Sequence, residues 1–313
     1  METLPDRPGI VIVGAGAMGC LFAARLAEQG ARVTVVDVDG ERLELIGRDG
    51  ITLADDRGER SLPVAASLAA HVTAPVDLLM LFTKGVHSKA AIASVAHLAQ
   101  ARPLALTLQN GIGNAELLAQ HFGAERVLLG TAHVPSDLTG PASVETHGFG
   151  TIELGGMSDT AHDHAQSVAD LLTAAGFGTE VAHDVIAAVW EKVAFNAALN
   201  AIAMICEVPN AGMDNEPGRR LAASVVGETV QVAKAAGIEL DRDTILATID
   251  AALREHAHHK ASMLQDREAG RRTEIETING AVAREGRRLG VPTPVCDTLC
   301  DLVRIIELQA TRR

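Results

Sequence analysis

The sequence contains no tyrosine, and aromatic residues make up only 2% of its 313 residues. Proteins that bind single-stranded nucleic acid stack its bases on aromatic side chains, so this composition excludes that class of function. Basic residues are also scarce, since 27 Lys and Arg stand against 40 Asp and Glu and give a net charge of −13. Because binding to nucleic-acid phosphates needs a basic surface, we expect no nucleic-acid partner.

Cysteine is limited to four residues, none of them in a Cys-x-x-Cys pair: Cys20, Cys206, Cys296 and Cys300. Their spacing predicts neither a zinc site nor a disulfide framework. The sequence also lacks a signal peptide, and apolar runs such as Val76–Phe82 are too short to span a bilayer. We therefore expect a cytoplasmic protein with no metal and no membrane partner.

A glycine-rich motif follows the first apolar run of the chain. Gly9–Val13 is short and rich in β-branched residues, which is typical of a buried parallel strand, and a helical pattern extends from Cys20 to Gln29. Between them, Gly-x-Gly-x-x-Gly has the spacing that permits a tight turn, close approach of a pyrophosphate, and close packing of the helix on the strand. A plain glycine turn is the alternative to a dinucleotide site. The residues expected to hold the dinucleotide are Gly14, Gly16, Ala17, Met18 and Gly19.

The second predicted strand, Ala31–Val36, is followed directly by an acidic residue, Asp37. A carboxylate at this point accepts hydrogen bonds from the adenosine ribose hydroxyls and repels a 2′-phosphate. Asp39 adds a second negative charge, and the next basic residue is Arg42. This pattern favours NADH over NADPH. The alternative is that Asp37 caps the next helix and that Arg42 folds back onto a 2′-phosphate.

Two further predicted strands are followed by polar residues that carry a functional interpretation. Lys84 comes after Val76–Phe82, and Asn110 comes after Pro103–Leu108. Open α/β sheets bind ligands at the carboxyl ends of their strands, so we expect Lys84 to reach the cofactor and Asn110 to face the nicotinamide or the substrate. The alternative for Asn110 is a left-handed turn residue before Gly111.

The order of the predicted elements indicates an α/β protein with two domains. Alternating strands and helices predict a doubly wound Rossmann sheet in residues 1–183, with an added hairpin formed by Ser143–His147 and Gly150–Leu154 around Gly148. Residues 184–313 show only helical patterns. The predicted helices of this all-α domain are Trp190–Ile205, Arg219–Ala236, Asp241–Gln265, Glu274–Leu289 and Thr293–Leu308.

One apolar helix of the second domain carries a polar stripe. Trp190–Ile205 has no glycine or proline and is apolar on nearly all sides from Val193 onward, which predicts a helix buried in protein. Lys192, Asn196 and Asn200 follow one another at spacings of four and share one face. Burying an unpaired amide costs about 1–3 kcal/mol, and an ammonium more. The stripe therefore indicates either a polar ligand, or asparagines bonded to neighbouring helices with the lysine extended to solvent.

Two later segments also have more than one interpretation. Glu274 is either a first-turn carboxylate that stabilises the start of its predicted helix or a catalytic partner. The histidines His256, His258 and His259 lie in a predicted helix, where adjacent side chains point apart and no carboxylate completes a ligand set. We interpret them as a solvated face rather than a metal site.

Several motifs occur together along the chain: Gly14–Gly19, Lys84, Asn110-Gly111, Glu191-Lys192-x-x-x-Asn196-x-x-x-Asn200, Pro209-Asn210, Ser262-Met-Leu-Gln-Asp266 and Thr273-Glu274-Ile-x-x-Ile-Asn279-Gly280. Their combination is specific, and over nearly its whole length the chain resembles the ketopantoate reductase (2-dehydropantoate 2-reductase) family. The resemblance implies a Rossmann N-terminal domain followed by an all-helical C-terminal domain.

The resemblance also implies a role for each matching residue. Lys192 resembles the catalytic lysine of the family, and Glu274 resembles its carboxylate near the nicotinamide and the lysine. Asn110 resembles a residue that contacts both cofactor and substrate. The positions that resemble the remaining substrate-contacting residues are Asn196, Asn200, Asn210 and Ser262.

From this resemblance we expect an oxidoreductase that transfers hydride from NAD(P)H to the 2-oxo group of 2-dehydropantoate, giving (R)-pantoate in pantothenate biosynthesis. Lys192 would protonate the substrate oxygen, with a pKa lowered by burial and raised by Glu274. Family members that use NADPH generally carry a basic residue where this chain has Asp37-Val-Asp39. An NAD-dependent D-2-hydroxyacid dehydrogenase and a non-enzymatic dinucleotide-sensing regulator are the alternatives. The expected partner is a small 2-oxo acid, and a homodimer is left open.

Overall fold

The structure, a computed structural model, describes residues 4–73 and 75–310 of the chain. These residues form two compact units: the first extends to Gln109 and resumes over Asn114–Val185, and the second comprises Asn110–Gly113 and the chain from Ile186 onward. The predicted domains, 1–183 and 184–313, did not assign the short segment Asn110–Gly113 to the second unit. Their outer ends, residues 1–3 and 311–313, lie outside the described part.

Within residues 4–73 and 75–310, twelve strands form two sheets, both in the first unit. The strands are β1 (Gly9–Val13), β2 (Arg32–Val36), β3 (Ile51–Asp55), β4 (Gly58–Leu62), β5 (Ala65–Ser67), β6 (Leu78–Leu81), β7 (Leu104–Thr107), β8 (Val127–His133), β9 (Asp137–Gly140), β10 (Ser143–Glu145), β11 (Thr151–Gly156) and β12 (Gly178–Val181). The larger sheet has the order β12-β11-β8-β7-β6-β1-β2-β5. Six neighbouring strands of this sheet are parallel to one another: β8, β7, β6, β1, β2 and β5. This arrangement confirms the predicted Rossmann sheet.

The register of the parallel strands places the carboxyl ends of four strands at one edge of this sheet. We call these ends, where the chain leaves the sheet, the exits of the strands. Val13 at the end of β1 lies opposite Val36 of β2 and Leu81 of β6, and Leu81 lies opposite Thr107 of β7. Strand β1 is buried along its whole length, because helices cover both faces of a parallel sheet. The segments that follow these four strands therefore begin side by side, where open α/β sheets bind ligands.

The described part of the first unit also contains six α-helices: α1 (Ala17–Glu28), α2 (Gly40–Asp49), α3 (Ser88–Val95), α4 (Asn114–Phe122), α5 (Asp159–His162) and α6 (Ala165–Ala174). Helix α1 contributes a continuous run of buried residues from Gly19 to Leu26. Its Phe22 ring stacks on Phe177 at a centroid distance of 4.2 Å and lies 4.6 Å from the Phe82 ring. These contacts fix α1, whose first turn contains the last glycine of the motif, against the sheet.

The predicted hairpin of residues 143–147 and 150–154 is wrong. β10 belongs to the smaller sheet, of order β4-β3-β10-β9, where it pairs with β3 and β9. β11 belongs to the larger sheet and pairs with β8, where a Cβ on Gly130 would lie 2.1 Å from the Glu153 carbonyl oxygen. Close approach of these two backbones requires that glycine. Long-range pairing, rather than the turn at Gly148, therefore decides the partner of each strand.

Six further helices follow: α7 (Val185–Cys206), α8 (Glu216–Ala235), α9 (Arg242–Glu255), α10 (Ser262–Glu268), α11 (Asn279–Leu289) and α12 (Pro294–Ala310). Within the described residues beyond β12, the chain forms only helices and turns, as predicted. The α7 residues Ala194, Ala197, Ala198 and Ala201 are completely buried in the helical core. Small side chains along this helix let neighbouring elements pack closely against it, which explains why alanine is frequent in its sequence.

The predicted continuous helix Asp241–Gln265 is also wrong, because it is interrupted between α9 and α10. In the interruption, the carbonyl oxygens of Ala257 and His259 accept hydrogen bonds from the N–H groups of Ala211 and Asn210 at 2.9 and 3.0 Å. Bonding to a neighbouring segment replaces the helical hydrogen bonds. The histidines His256, His258 and His259 are exposed. In the part of the chain that the structure describes, no group of three or more potential metal ligands is found.

Helix α7 is long and apolar enough, by length and composition, to cross a membrane: it has 22 residues and a mean hydropathy of 1.3. However, 56% of that apolar stretch is buried inside the protein. The core helix of a globular unit meets the same criterion, so this indication of a membrane span is weak. The burial of α7 agrees with the helix packed in protein that its sequence predicts.

Candidate active site

The glycine turn after β1 has the geometry that its three motif glycines predict. Gly14 has φ of +108°, and a Cβ there would lie 2.8 Å from the Thr83 backbone nitrogen. A Cβ on Gly19 would lie 1.8 Å from the Gly14 carbonyl oxygen, so this position holds α1 close to the strand. A Cβ on Gly16 would meet no atom within 4 Å. Packing within the protein therefore requires two of the glycines, whereas Gly16 leaves room for a ligand.

The start of α1 suits a negatively charged group. Its N-cap is Gly16, which has no side chain to bond the first N–H groups, and its first turn contains no acidic residue. Ala17 and Met18 of this turn are half-buried. Helix N-termini carry partial positive charge and exposed N–H donors, which bind phosphate. The residues present therefore fit the pyrophosphate of a dinucleotide.

Ala15, inside the glycine turn, is held from both sides by side chains of the β2–α2 segment. The Asp37 Oδ2 accepts a hydrogen bond from the Ala15 nitrogen at 2.6 Å, and the Arg42 Nη1 donates to the Ala15 carbonyl oxygen at 2.7 Å. The Asp37 Oδ1 also accepts from the backbone nitrogens of Val38 and Asp39. The sequence did not predict this clamp, since nothing in the pattern links Arg42 to Ala15.

The alternative interpretation of Asp37 as the cap of the next helix is wrong. The residue that caps α2 is Asp39, whose side chain accepts a hydrogen bond from the Arg42 nitrogen. The Arg42 guanidinium folds back onto the glycine turn itself and pairs with the Asp39 carboxylate at 3.6 Å. Asp37 therefore supports the turn and remains at the end of β2, where the ribose was expected.

A polar network that the sequence did not predict joins the exits of β6 and β7. The Gln109 Nε2 donates to the Thr83 carbonyl oxygen and, at 3.0 Å, to the Ser88 Oγ. The Thr107 Oγ1 donates to the Gln109 Oε1 at 3.0 Å, and the Ser88 Oγ donates to the Asn114 Oδ1 at 2.9 Å. The half-buried Lys84 follows Thr83 directly. The only sequence signal for this network was a polar residue directly after a buried strand.

Asn110 lies next to Gln109 but is grouped with the second unit. Its backbone is not left-handed, so that alternative is wrong; the left-handed residue is Gly111, with φ of +97°. A Cβ on Gly111 would lie 2.2 Å from the Thr277 carbonyl oxygen, and that oxygen accepts a hydrogen bond from the Ile112 nitrogen at 3.0 Å. The glycine thus permits close docking of residues 110–113 on the turn that contains Thr277.

Helix α7 carries the predicted polar stripe, and its members have different surroundings. Lys192 and Asn196 are half-buried, while Asn200 is only 5% exposed. The Asn200 Nδ2 donates to the Oγ of Ser262, the first residue of α10, at 3.1 Å. Two of the predicted substrate residues therefore form one hydrogen-bonded pair.

Asn210 is 3% exposed, and its Nδ2 donates to the Ala252 carbonyl oxygen of α9 at 3.2 Å. This amide group is therefore engaged in joining two segments of the helical unit. Its second N–H and its Oδ1 are the groups that could contact a substrate, as the resemblance implies.

The position of Glu274 differs from the prediction. Helix α11 begins at Asn279 rather than at Glu274, so the first-turn interpretation is wrong. Glu274 lies in a turn, where its carbonyl oxygen accepts hydrogen bonds from the Thr277 and Ile278 nitrogens at 3.1 Å. Its Oε2 accepts a hydrogen bond from the Asn110 Nδ2 at 3.1 Å. Because Glu274 lies in a turn rather than in a helix, its carboxylate can contact the side chain of Asn110.

Glu274 also acts on Lys192. Burial lowers the pKa of the Lys192 ammonium from 10.5 to about 8, and the charge of Glu274 opposes this shift. An amine with a pKa near neutrality is suited to proton transfer. The structure thus brings together Lys192, Glu274 and Asn110 in one unit, and Gly14–Gly19 with Asp37 in the other.

Comparison with known proteins identifies the family of this chain. Residues 10–159 match the family model described as ketopantoate reductase PanE/ApbA, and residues 184–307 match the model of its C-terminal part. The chain belongs to this family. The 2-dehydropantoate 2-reductase of Halobacterium salinarum is 32% identical over 300 residues, which cover 95% of this chain and 98% of that protein. The predicted family and the enzymatic character are therefore confirmed.

Solved structures show the same two-part fold. A ternary structure of D-mandelate dehydrogenase with NADH and anilino(oxo)acetate is 29% identical, with a TM-score of 0.92, and covers 97% of this chain and 99% of that one. The 2-dehydropantoate 2-reductase from Geobacter metallireducens is 30% identical, with a TM-score of 0.84, and the match covers 95% and 99% of the two chains.

Two glycine substitutions should separate ligand binding from folding. We expect Gly16→Ala to leave Tm close to that of the parent, because the new Cβ meets no protein atom, and to weaken NADH binding about tenfold. We expect Gly19→Ala to lower the free energy of unfolding by about 1–3 kcal/mol through its clash with the Gly14 carbonyl. Thermal melts and NADH titrations provide the two measurements. Equal losses of Tm in both variants would contradict the assigned roles.

The lowered pKa of Lys192 can be measured without any substrate. Trace acetic anhydride reacts only with neutral amines, so peptide mass spectrometry across a pH series gives the midpoint for each lysine. We expect the labelling of Lys192 to rise through about pH 8. Lys234, exposed on α8, supplies the reference curve. Identical midpoints for the two lysines would show that burial does not affect Lys192.

Proposed function

We propose that this chain is an NADH-preferring 2-dehydropantoate 2-reductase, which forms (R)-pantoate for pantothenate biosynthesis. The observation that carries the proposal is the Lys192 amine on the largely apolar helix α7. Burial lowers the pKa of this amine to about 8, and the charge of Glu274 opposes the shift. Membership of the ketopantoate reductase PanE/ApbA family points to the same reaction. A dinucleotide sensor would need no such proton donor.

The proposed cofactor site consists of the glycine turn, Asp37 and Lys84. The N–H groups at the start of α1 bind the pyrophosphate, and the Asp37 carboxylate accepts hydrogen bonds from the ribose. Asp37 and Asp39 repel a 2′-phosphate, and Arg42 is already engaged with the Ala15 carbonyl and with Asp39. These charges support NADH over NADPH. When bound, the nicotinamide supplies a hydride to the 2-oxo carbon.

Lys192 acts on the 2-oxo group as its oxygen gains negative charge. The ammonium stabilises that charge and donates its proton to the oxygen, and both effects lower the barrier only as the transition state forms. Glu274 favours the protonated form of the lysine near neutral pH, because its negative charge raises the lysine pKa. Asn110 donates to Glu274 and so holds the carboxylate in place.

The amides of the stripe hold the substrate. Asn196 and the Asn200–Ser262 pair lie one and two turns beyond Lys192 on the same face, and they suit the carboxylate and hydroxyl groups of a small 2-oxo acid. Asn210 contributes the part of its amide that does not bond to the Ala252 carbonyl. We also infer a cytoplasmic location, while the homodimer and the lack of nucleic-acid and membrane partners stay predictions.

A second candidate is an NAD-dependent D-2-hydroxyacid dehydrogenase that acts on another 2-oxo acid. One observation favours it: the NADH-bound D-mandelate dehydrogenase structures superpose with TM-scores of 0.92 and 0.90, compared with 0.88 for the ketopantoate reductase from Ralstonia eutropha and 0.84 for the Geobacter metallireducens reductase. The catalytic lysine and the cofactor site would serve both reactions. The two candidates differ in the side chain of the substrate.

A substrate panel distinguishes these functions. We expect kcat/KM to be highest with 2-dehydropantoate and NADH among 2-dehydropantoate, 2-oxoisovalerate and phenylglyoxylate, each measured with NADH and with NADPH. Highest activity with phenylglyoxylate would favour the second candidate. A clear preference for NADPH would remove the cofactor argument based on Asp37. Tight cofactor binding without turnover of any 2-oxo acid would favour a sensor.

Removal of the proposed proton donor provides a second test. We expect Lys192→Ala to lower kcat by at least ~100-fold, because general acid catalysis is lost. In the parent enzyme, kcat should fall as the pH rises through about 8, since only the protonated amine can donate. Lys234→Ala, at an exposed position of α8, serves as the matched control and should retain full activity. Near-normal turnover in Lys192→Ala would refute the assignment.

A further inference from the structure

The carboxylate that tunes Lys192 is not fixed by any helix. Glu274 precedes α11 and lies in the turn formed by residues 273–278, which we call the Glu274 turn. A side chain in such a turn acts at a constant distance only if the turn itself is anchored. The exposed Glu191 neighbours the lysine in sequence, but Glu274 is the charged group that opposes the effect of burial on it.

Anchors on three elements hold the Glu274 turn. At its start, the backbone nitrogen and the Oγ1 of Thr273 both donate to the Glu307 Oε1 of α12 at 2.8 Å. Near its end, the Thr277 carbonyl oxygen accepts from the Ile112 nitrogen. Directly after it, the Asn279 Nδ2 donates to the Ala197 carbonyl oxygen of α7 at 2.9 Å. Among these anchors, only the amide of Asn279 connects the turn to the helix that carries Lys192.

Stability alone does not explain an asparagine at this position. Asn279 is 0% exposed, and its Oδ1 accepts no hydrogen bond from any described protein group. A buried acceptor without a donor opposes folding, and an apolar side chain of similar size would avoid that cost. Its donor, however, meets α7 one residue after Asn196 and five residues after Lys192. We therefore attribute the presence of an asparagine at this position to its hydrogen bond with the Ala197 carbonyl oxygen of α7.

We propose that Asn279 is a positioning residue, which ties the Glu274 turn to α7 and thereby sets the distance between the Glu274 carboxylate and the Lys192 ammonium. The proposal deepens the proposed function, because it rests on Lys192 as the proton donor. Asn279 touches neither the substrate nor the reacting atoms in this account. Its effect reaches the reaction only through the charge of Glu274.

The test is the labelling midpoint of Lys192 in Asn279→Leu, which keeps the branched shape of the side chain but removes the donor. A looser turn weakens the effect of Glu274, so we expect the midpoint to fall by about 1 pH unit. The basic limb of the kcat pH profile should move to lower pH by the same amount. Asn279→Ala provides a second variant in case leucine prevents folding. An unchanged midpoint in a folded variant would overturn the proposal.

Two controls separate positioning from general destabilisation. Thr229→Val removes another buried side-chain hydrogen bond, from Thr229 Oγ1 to the Val225 carbonyl oxygen in α8, and should leave the midpoint unchanged. In a Glu274→Gln background, Asn279→Leu should cause no further shift, because the charge through which it acts is gone. An equal shift in both backgrounds would contradict the proposed route.

The labelling needs no substrate, so its outcome is independent of the substrate panel. If no 2-oxo acid is turned over while the midpoint still shifts with Asn279→Leu, the proposed function fails and the positioning by Asn279 stands. If turnover is normal and the midpoint does not shift, the positioning fails and the proposed function stands. The two proposals are therefore tested separately.

Discussion

A positive charge on a buried apolar helix is the constraint around which the second unit is built. Burial lowers the pKa of the Lys192 ammonium, and the amine keeps its proton near neutral pH more readily beside an opposing carboxylate. Glu274 supplies it from a turn rather than from a helix, and Asn110 holds its Oε2. A glycine is needed at position 111, because any side chain there would clash with the Thr277 carbonyl.

The first unit meets a different requirement, that of presenting backbone N–H groups to an anion without collapse of the turn. Ala15 is held at its nitrogen by Asp37 and at its carbonyl by Arg42, so the turn is preorganised by two charged side chains. Gln109 does the same for the exit of β6 through the Thr83 carbonyl. Preorganised donors at strand ends bind ligands with little loss of conformational freedom.

In both units, polar side chains of the candidate site thus form hydrogen bonds with other groups of the protein itself. Asn210 donates to the Ala252 carbonyl, and Asn200 donates to Ser262. Hydrogen bonds of this kind lock the rotamers of candidate ligand-binding residues, which catalysis requires within a fraction of an ångström. They also explain why asparagine recurs, since an amide can donate to one group and accept from another.

The sequence by itself determined the Rossmann sheet, the glycine turn and the polar stripe of α7, because each depends on local spacing: strand-length apolar runs, glycines two and three residues apart, and polar residues every four positions. Only the tertiary structure decided the partners of β10 and β11, the break between α9 and α10, and the turn that carries Glu274. Those features depend on backbone hydrogen bonds and close contacts between segments far apart in the chain, such as Ile112 with Thr277 and Asn279 with Ala197. Periodicity contains no information about such pairs, since it describes which face of an element is apolar but not which neighbour covers it.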